Sequence, residues 1–447
     1  TSTWASGYQN FTSFTPIAEQ PQGTAINILA SSGSNRVPRQ NGTWKAWVDW
    51  NKDGDFNDAG EEVYNMISFT TPSVTFGFII PAGQAEGNYT LRIGTFSVQG
   101  NNFTSCSTTS GYGEMEDYTF KVVTDCPAKV LNVNNVNPFD GERCGAGSVR
   151  LSASGNASAV SYNWYDSIYG GTLLGSGNIY NTPSISSTTT YYVTAVSSTG
   201  CETAFRYPVE ARIDPNPTVT FSTSDPAICG EDKPSLLVSA SGDKYQDVIF
   251  EKFDSGLGVF ANQVAGAYTN AIGHWLRKDS PYIPLIAEGY EGLSPAMSSG
   301  YFGAGFAMIN TDISRGSSAQ SILNRLTSNN LDVNGFLNLK VDFDLFNFTI
   351  ASNFTEGYTL IEYSLNGGTN WNTLDQFIGT RGNPLKWEKF SYNIPGTNFT
   401  STDFKLRFSV YSYAGPFSGG GSGFIEGITT VDNVRIYGFK TITTPFS

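Results

Sequence analysis

The feature that most constrains this chain is a short acidic loop between two stretches with the pattern of β-strands. Side chains that carry oxygen recur there at every second position: Asp49, Asn51, Asp53 and Asp55. Gly54 lies among them and permits the sharp turn with which a chain wraps around one hard cation. The spacing therefore predicts a calcium-binding loop.

The second half of the loop departs from the EF-hand pattern. An EF-hand places a bidentate Glu at its twelfth position, where this chain has Gly60, and the acids follow at Glu61 and Glu62. The runs 44–48 and 63–69 on either side predict strands rather than helices. We predict a structural Ca²⁺ held by Asp49, Asn51, Asp53, Asp55 and Glu61. The alternative is a solvated acidic hairpin tip.

Composition favours an all-β protein of several domains. The chain has 447 residues, 48 of them Gly, and 14% are aromatic, which is typical of short strands joined by turns. This length predicts roughly two to four domains. The first residues do not form a signal peptide, and we interpret the sequence as a mature protein or a fragment of a larger one.

The charge limits the classes of partner. The net charge of −13 repels phosphate backbones and anionic headgroups, so we expect no nucleic-acid partner. No apolar run approaches the ~18 residues that span a bilayer, so we expect no direct membrane insertion. A cation such as calcium is the expected partner instead.

The segment before residue 124 carries two motifs of a known family. Gly113-Glu114-Met115-Glu116-Asp117 precedes a predicted closing strand, and Trp47 to Glu61 has the order Trp-x-Asp-Trp-Asn-x-Asp-Gly-Asp-Phe followed by Gly-Glu. Together they resemble the GEVED domain of large secreted proteins of Bacteroidota. The resemblance implies a β-sandwich, and it implies that Glu114, Glu116 or Asp117 approaches the same cation. The alternative is that these acids are solvated.

The next segment has a cysteine, a tryptophan within a strand and a second cysteine: Cys144, Trp164 and Cys201. In immunoglobulin sandwiches this order accompanies an inter-sheet disulfide that packs on the indole. The segment resembles the Ig-like modules of the same secreted proteins, and we predict a Cys144–Cys201 disulfide. Cys106 either pairs with Cys126 at the domain junction or has a partner outside this sequence.

A second Ig-like pattern begins after residue 215 and then stops. Residues 228–242 repeat the order of Cys144 to Gly155, but no cysteine follows Cys229. One interpretation is a domain inserted into an exposed turn, with the partner of Cys229 outside this sequence. The other is a β-hairpin spacer with a free Cys229.

The segment after residue 246 resembles the jelly rolls of MAM domains and carbohydrate-binding modules. Phe250-Glu251-x-Phe253 at its start and Val431-Asp432-Asn433-Val434 at its end carry this resemblance. It implies a structural cation with Glu251 and Asp432 as ligands, whereas ordinary edge or turn carboxylates are the alternative.

The sequence thus predicts an all-β fold of tandem β-sandwiches, GEVED-like and Ig-like, with a jelly roll inserted in or following a second, incomplete Ig-like domain. The predicted limits are 1–124 for the GEVED-like sandwich, 125–214 for the Ig-like domain, 215–245 for the incomplete Ig-like domain, 246–440 for the jelly roll and 441–447 for a return segment.

We find no catalytic motif in the sequence. The chain has one histidine, His274, and neither a His-Glu-x-x-His nor a Gly-x-Ser-x-Gly sequence. We therefore expect a non-catalytic, calcium-stabilised protein.

The family resemblances imply a part of a large adhesin at the outer cell surface or outside the cell. They further imply export by the type IX secretion system, with components of the secretion or gliding machinery as partners and a surface polysaccharide or protein as ligand. The alternative is a set of accessory modules of a secreted metallopeptidase or glycosidase whose catalytic domain lies outside this sequence.

Overall fold

The structure is a computed structural model whose described residues are 7–31, 42–69, 73–96, 103–107, 113–123, 125–134, 140–168, 170–203, 206–223, 236–264, 274–279, 293–294, 305–310, 320–349, 357–378, 387–416, 422–423 and 427–446. Within these ranges every regular element is a β-strand. The described part contains no helix long and apolar enough to cross a membrane. The predicted all-β fold is confirmed, and Cys229 lies outside the described residues.

The first sandwich consists of a large and a small sheet. Its strands are β1 (Tyr8–Asn10), β2 (Glu19–Pro21), β3 (Ala25–Ser31), β4 (Gly42–Val48), β5 (Glu62–Phe69), β6 (Ser73–Ile79), β7 (Gly87–Phe96) and β8 (Gly113–Val123). The large sheet has the order β1-β8-β7-β4-β5, with β2 also on β8, and β3 pairs with β6 in the small sheet. Alternate side chains of the two sheets, including Trp44, Phe76, Leu91 and Phe120, form the core.

The GEVED-type acids lie within β8 rather than before it, which corrects the predicted start of that strand. β8 pairs with β7 from Gly113, opposite Phe96, through Val122, opposite Gly87. Because successive side chains of a strand point to opposite faces, Glu114 and Glu116 lie on one face and Asp117 on the other.

The second sandwich has the Ig-like arrangement of two small sheets. Its strands are β9 (Val130–Val133), β10 (Glu142–Cys144), β11 (Arg150–Gly155), β12 (Ser161–Tyr165), β13 (Leu173–Ser176), β14 (Ile179–Asn181), β15 (Thr189–Val196) and β16 (Tyr207–Asp214). One sheet has the order β10-β16-β15-β12-β13, and the other β14-β11-β9. Trp164 is fully buried at the centre of the core.

The disulfide of the second sandwich joins Cys126 to Cys201, with their Cα atoms 5.6 Å apart, so the predicted Cys144–Cys201 and Cys106–Cys126 pairs are wrong. Cys126 is buried in the core that contains Trp164, and Cys201 packs against that core. Cys144 lies on β10, whose partner is β16, where it is exposed and free. Cys106 is also exposed and free. A disulfide and a tryptophan share one core as expected, but the first cysteine of the pair is Cys126 and not Cys144.

The third sandwich is the largest. Its strands are β17 (Thr218–Thr223), β18 (Leu236–Glu251), β19 (Phe260–Val264), β20 (Leu276–Asp279), β21 (Leu293–Ser294), β22 (Gly305–Asn310), β23 (Gln320–Ser328), β24 (Leu339–Thr349), β25 (Gly357–Ser364), β26 (Asn372–Phe377), β27 (Glu388–Ile394), β28 (Lys405–Pro416), β29 (Ser422–Gly423) and β30 (Gly427–Phe446). Of these, β21 pairs with β6 of the first sandwich.

Two sheets enclose the core of the third sandwich. One has the order β17-β18-β30-β22-β20, with β24 on β30 and β27 on β24, and the other has the order β19-β23-β28-β25-β26 with β29 on β28. Their inward side chains, including Val341, Phe343, Ile361, Phe408 and Ile436, form one continuous cluster.

A long antiparallel ladder connects the start and the end of the third sandwich. β18 and β30 pair from Val238, opposite Phe446, to Glu251, opposite Val434. The proposed limit between residues 245 and 246 falls inside β18, and the return segment after residue 440 lies in β30 beside the first half of β18. The domain limits themselves stay a prediction.

Candidate metal centre

The acidic loop, residues 49–61, connects β4 to β5 in a hairpin at the edge of the large sheet of the first sandwich. A series of side-chain-to-backbone turns shapes it. The carboxamide of Asn51 accepts a hydrogen bond from the Asp53 N–H at 3.0 Å, Asp53 accepts from Asp55 N–H at 3.0 Å, and Asp55 accepts from Asn57 N–H at 2.9 Å. Such turns are the local structures that Asp and Asn favour. The side chains of Asn51, Asp53 and Asp55 lie close to one another in this arrangement.

Three carboxylates meet in this loop. Asp53, Asp55 and Asp58 each have an oxygen within 4.8 Å of the others, and all three side chains are exposed. Asn51 donates hydrogen bonds to Asp53 at 3.0 Å and to Asp58 at 2.5 Å. Asp58 was not among the residues predicted from the sequence, because its position does not continue the alternation that identifies the other candidates.

Asp49, at the start of the same loop, is not a member of this group of three, but it has an unsatisfied oxygen. The residue is only 8% exposed, and its Oδ2 accepts a hydrogen bond from Gly54 N–H at 3.2 Å. Gly54 has a φ of 93°, a conformation that glycine adopts without strain. Asp49 Oδ1 is buried and has no hydrogen-bond partner among the described residues. A buried carboxylate oxygen without a partner is costly, and a cation next to this atom would reduce that cost.

Glu61 closes the loop through the backbone. It is 1% exposed, and its two carboxylate oxygens accept hydrogen bonds from Trp50 N–H at 2.9 Å and from Asp58 N–H at 3.2 Å. Its own backbone carbonyl accepts from Val48 N–H at 2.8 Å. Glu61 therefore fixes the position of Asp58 and holds the two ends of the loop together.

The residues of the loop fit a calcium ion chemically. Calcium binds six to eight oxygen ligands at about 2.3–2.6 Å, so oxygens that share one ion lie at most about 5 Å apart. The three exposed carboxylates meet this distance, and Asp49 supplies an oxygen that lacks a partner within the described part of the chain. All these ligand atoms are oxygens, which suits calcium better than zinc.

Asp117 supports the loop from a distance instead of joining the carboxylate group. It accepts hydrogen bonds from Arg92 Nε and Nη2, both at 2.7 Å, and from the Tyr8 hydroxyl at 2.8 Å. The Arg92 guanidinium lies 4.5 Å from the ring centroid of Phe56, which is a buried residue of the acidic loop. The GEVED-type motif thus reaches the loop through a cation–π contact.

Glu114 and Glu116 lie on the other face of β8 and border a cavity with Trp44 and Thr95. This location argues against the expectation that they approach the cation of the loop, because the sheet separates the two faces.

The two acids predicted in the jelly roll have separate environments. The oxygens of Glu251 accept hydrogen bonds from Phe253 N–H at 2.9 Å and Val259 N–H at 3.1 Å. Asp432 is fully buried on β30 opposite Asp344 of β24, and its Oδ1 accepts from Asn433 N–H at 2.7 Å. Among the described residues, carboxylates close enough to share an ion in a group of three occur in the acidic loop.

A second surface of interest is the outer face of the sheet that contains β25 and β28. Tyr358 and Tyr411 stack there with their ring centroids 4.9 Å apart. The Arg407 guanidinium lies 3.7 Å from the ring centroid of Trp371 and donates to both oxygens of Glu362 at 2.7 and 2.8 Å. We call Tyr358, Trp371, Arg407 and Tyr411 the aromatic face.

The other tryptophans of the third sandwich pack against neighbouring side chains and are less accessible to a ligand. Trp275 is 1% exposed within the core, and Trp387 packs edge-on against Phe306 and Phe346. His274 is half-buried next to Trp275, and its Nε2 has no partner among the described residues.

The fold defines a multi-module β-sandwich protein. Its first sandwich matches a family model: residues 43–121 match the GEVED domain. Residues 132–215 match the family model described as the Ig-like domain, CHU_C associated. The resemblances drawn from the motifs are therefore confirmed for these two segments. A search of curated proteins finds no match.

A comparison with solved structures finds several to which this chain is similar. The K1 cleaved adhesin domain of Lys-gingipain from Porphyromonas gingivalis W83 is 17% identical, and the match covers 43% of this chain and 97% of that one with a TM-score of 0.27. A carbohydrate-binding module of the β-sandwich superfamily is 13% identical, with 69% and 97% covered and a TM-score of 0.25. SGBP-B from a mixed-linkage glucan utilization locus of Bacteroides ovatus is 11% identical, with 94% and 96% covered and a TM-score of 0.15. These values are too low to support an argument about function.

Proposed function

We propose that this chain is a non-catalytic, calcium-stabilised part of a secreted or surface-displayed adhesin. The observation that carries the proposal is the acidic loop, in which three exposed carboxylates approach one another and a buried oxygen of Asp49 has no partner among the described residues. Without a cation, these like charges repel one another and the buried oxygen loses its hydration. A bound calcium ion removes both costs.

The role of the ion in this proposal is structural. The loop is joined to the core of the first sandwich by the Glu61 hydrogen bonds and by the packing of Phe56 on Arg92. Ordering of the loop by calcium therefore stabilises the hairpin of β4 and β5. The matches to the GEVED and Ig-like families support a role outside the cell, with export by the type IX system as part of the proposal.

Calcium-dependent unfolding tests this part of the proposal. We expect the thermal unfolding midpoint of the first sandwich to rise with calcium and to fall when a chelator removes it, because a ligand that binds only the folded state stabilises that state. Magnesium at the same concentration is the control, since it demands a stricter octahedral geometry. An identical midpoint with calcium and with chelator would eliminate the calcium site.

We further propose that the third sandwich presents the ligand-binding surface, and that this surface is the aromatic face. Aromatic rings beside charged and hydroxyl groups provide the stacking and hydrogen bonding with which proteins hold polysaccharides or protein side chains. Trp371 and Tyr358 are partly exposed there, unlike Trp275. The ligand in this proposal is a surface polysaccharide.

Binding to immobilised polysaccharides tests the aromatic face. We expect the double substitution Tyr358→Ala and Trp371→Ala to weaken binding by at least about tenfold, which corresponds to about 1.4 kcal/mol. Phe221→Ala removes an exposed aromatic ring from β17 of the same sandwich and serves as the matched control. Equal binding by both variants would exclude the aromatic face as the site.

A further inference from the structure

A charged residue that the proposed function does not use lies beside the aromatic face. Arg325 is on β23, next to Leu326, which is a fully buried core residue. Because successive side chains of a strand point to opposite faces, Arg325 projects from the outer side of the sheet. Its register partner on β28 is Ser409, which lies between Arg407 and Tyr411. Arg325 is therefore adjacent to the centre of the aromatic face.

The Arg325 guanidinium has no hydrogen bond and no ion pair within the described residues. The side chain is only partly exposed, and its Nε is buried. A guanidinium in this position has lost part of its hydration without gaining an acceptor, which is costly. An acceptor supplied by a ligand would remove that cost.

The carboxylate nearest to this arginine in the outer face is already engaged. Both oxygens of Glu362 accept hydrogen bonds from Arg407, at 2.7 and 2.8 Å, and one of them also accepts from the Ser409 hydroxyl at 2.8 Å. Burial, together with the charge of Arg407, lowers the pKa of Arg325 below its ordinary value, and the charge of Glu362 opposes that effect. Arg325 nevertheless stays charged at neutral pH, as arginines in proteins do.

The outer face of this sheet is positive, although the chain as a whole has a net charge of −13. Among the outward positions of its described strands, the charged side chains are those of Arg325, Lys405, Arg407 and Glu362. Exposed charges farther away than about 8 Å are largely screened at physiological ionic strength. An anion at this face therefore interacts chiefly with the local excess of cations.

The chemistry of the face indicates which anion fits. The planar fork of an arginine matches a carboxylate, and Arg407 shows this pairing with Glu362 on the same face. The stacked rings of Tyr358 and Tyr411 offer a flat surface of the kind on which a sugar ring packs. A sugar that carries a carboxylate combines the two requirements.

We propose that the ligand of the aromatic face is an acidic polysaccharide, and that Arg325 pairs with the carboxylate of one of its uronic acid units. This inference rests on the proposed function, because it assumes that the aromatic face binds a polysaccharide. The sugar rings contact Tyr358 and Trp371, and the carboxylate supplies the acceptor that Arg325 does not find within the described part of the chain.

Binding of the full chain to polymers that differ only in charge tests the proposal. The probes are polygalacturonate, alginate and hyaluronan, each compared with its methyl ester, in which the same sugar units carry no charge. We expect at least one acidic polymer to bind at least about tenfold more tightly than its ester, with an affinity that falls as salt is added. The absence of this preference in all three pairs would overturn the proposal.

Substitution of Arg325 locates the contact. We expect Arg325→Gln to lose at least about tenfold in affinity for the preferred acidic polymer and to bind its ester as the wild type does. Arg325→Lys retains the charge without the planar fork and should lose less. Lys340→Gln is the matched control, since it makes the same charge change at an exposed position of β24 in the other sheet. An Arg325→Gln variant that binds the acidic polymer as tightly as the wild type would contradict the proposal.

Thermal unfolding of Arg325→Gln distinguishes a binding role from a structural one. Because the substitution removes an unpaired, partly buried charge, the unfolding midpoint should be at least as high as that of the wild type. A lower midpoint would mean that Arg325 supports the fold, and it would refute the assignment of this residue to the ligand.

The tyrosine and tryptophan variants separate this inference from the proposed function. Equal affinities for acidic polymer and ester, both lowered in the double variant Tyr358→Ala and Trp371→Ala, would exclude the carboxylate contact and retain the aromatic face. Binding that neither this double variant nor Arg325→Gln changes would exclude both.

Discussion

Arg92 and Asp117 lie directly opposite each other on β7 and β8 and form a bidentate ion pair with both N–O distances at 2.7 Å. The pair is largely buried on the face of the sheet where the acidic loop packs, and Arg92 also contacts Phe56 of that loop. Asp117 therefore connects the GEVED-type motif of β8 through one arginine to a loop that lies far before it in the chain.

Asp117→Asn should destabilise the first sandwich by about 3 kcal/mol, because it leaves the buried Arg92 charge without its partner. Hydrogen exchange of peptides from β7 and β8 measures this loss. Glu19→Gln is the matched control, since Glu19 of β2 forms an exposed ion pair with Lys121 of β8, the strand that also contains Asp117. That variant should change stability by less than about 1 kcal/mol. Equal losses of stability in the two variants would contradict a larger contribution from the buried pair of Arg92 and Asp117.

Asp53→Asn should lower the calcium affinity of the loop by at least about tenfold, because it removes one carboxylate from the group of three. Asn can still accept the hydrogen bond from the Asp55 N–H, so the local turn remains. Asp332→Asn is the control, since Asp332 accepts the same type of hydrogen bond from Asn334 N–H in an exposed turn. Calcium titration by calorimetry distinguishes them, and an unchanged affinity in Asp53→Asn would remove Asp53 from the site.

Cys126→Ser should destabilise the second sandwich by about 2–5 kcal/mol, because it removes a cross-link between residues 75 apart in sequence. Cys144→Ser should have little effect, since that thiol is exposed and free. Urea unfolding followed by hydrogen exchange of β12 and β15 peptides makes the comparison. If Cys144→Ser were the destabilising substitution, the pairing described here would be incorrect.

The pH dependence of stability should change in Asp214→Asn. Burial raises the pKa of Asp214 above its ordinary value, so the charged form is disfavoured in the folded state. The contribution of Asp214 to the stability of the wild type is therefore fully present below the unfolded pKa of about 4 and is lost as the pH rises through the folded pKa. The asparagine side chain of the variant retains an oxygen for the Tyr245 N–H, which Asp214 Oδ1 accepts at 3.2 Å.

Asp214→Asn should accordingly be more stable than the wild type at neutral pH, with a difference that disappears in acid. Thermal unfolding midpoints across a pH series provide the measurement. Asp125→Asn, which neutralises an exposed aspartate at the start of the same sandwich, should show no such pattern. A variant that is less stable than the wild type at neutral pH would contradict the direction of this shift.

The local features of the fold were predictable from the sequence, and its long-range contacts were not. The alternation of Asp49, Asn51 and Asp53 identifies the acidic loop because both the pattern and the turn chemistry are local. The pair of Arg92 and Asp117 depends on the register of β7 against β8, which a strand pattern does not specify.

The disulfide shows the same limit. The sequence order of cysteine, tryptophan and cysteine predicts a covalent link beside Trp164, and such a link is present. Which cysteine takes part depends on strand placement: Cys144 is on β10 at the exposed edge of a sheet, whereas Cys126 enters the core before β9. Spacing along the chain does not contain that information.

The ladder of β18 and β30 has a mechanical consequence. Val238 and Phe446 face each other at one end of it, so a force that pulls these two residues apart acts on adjacent points. Backbone hydrogen bonds then break in sequence from that end, and the sheets beyond Tyr245 carry no tension until the opening reaches them. A pull on these two residues would therefore open the ladder before it deforms the rest of the third sandwich.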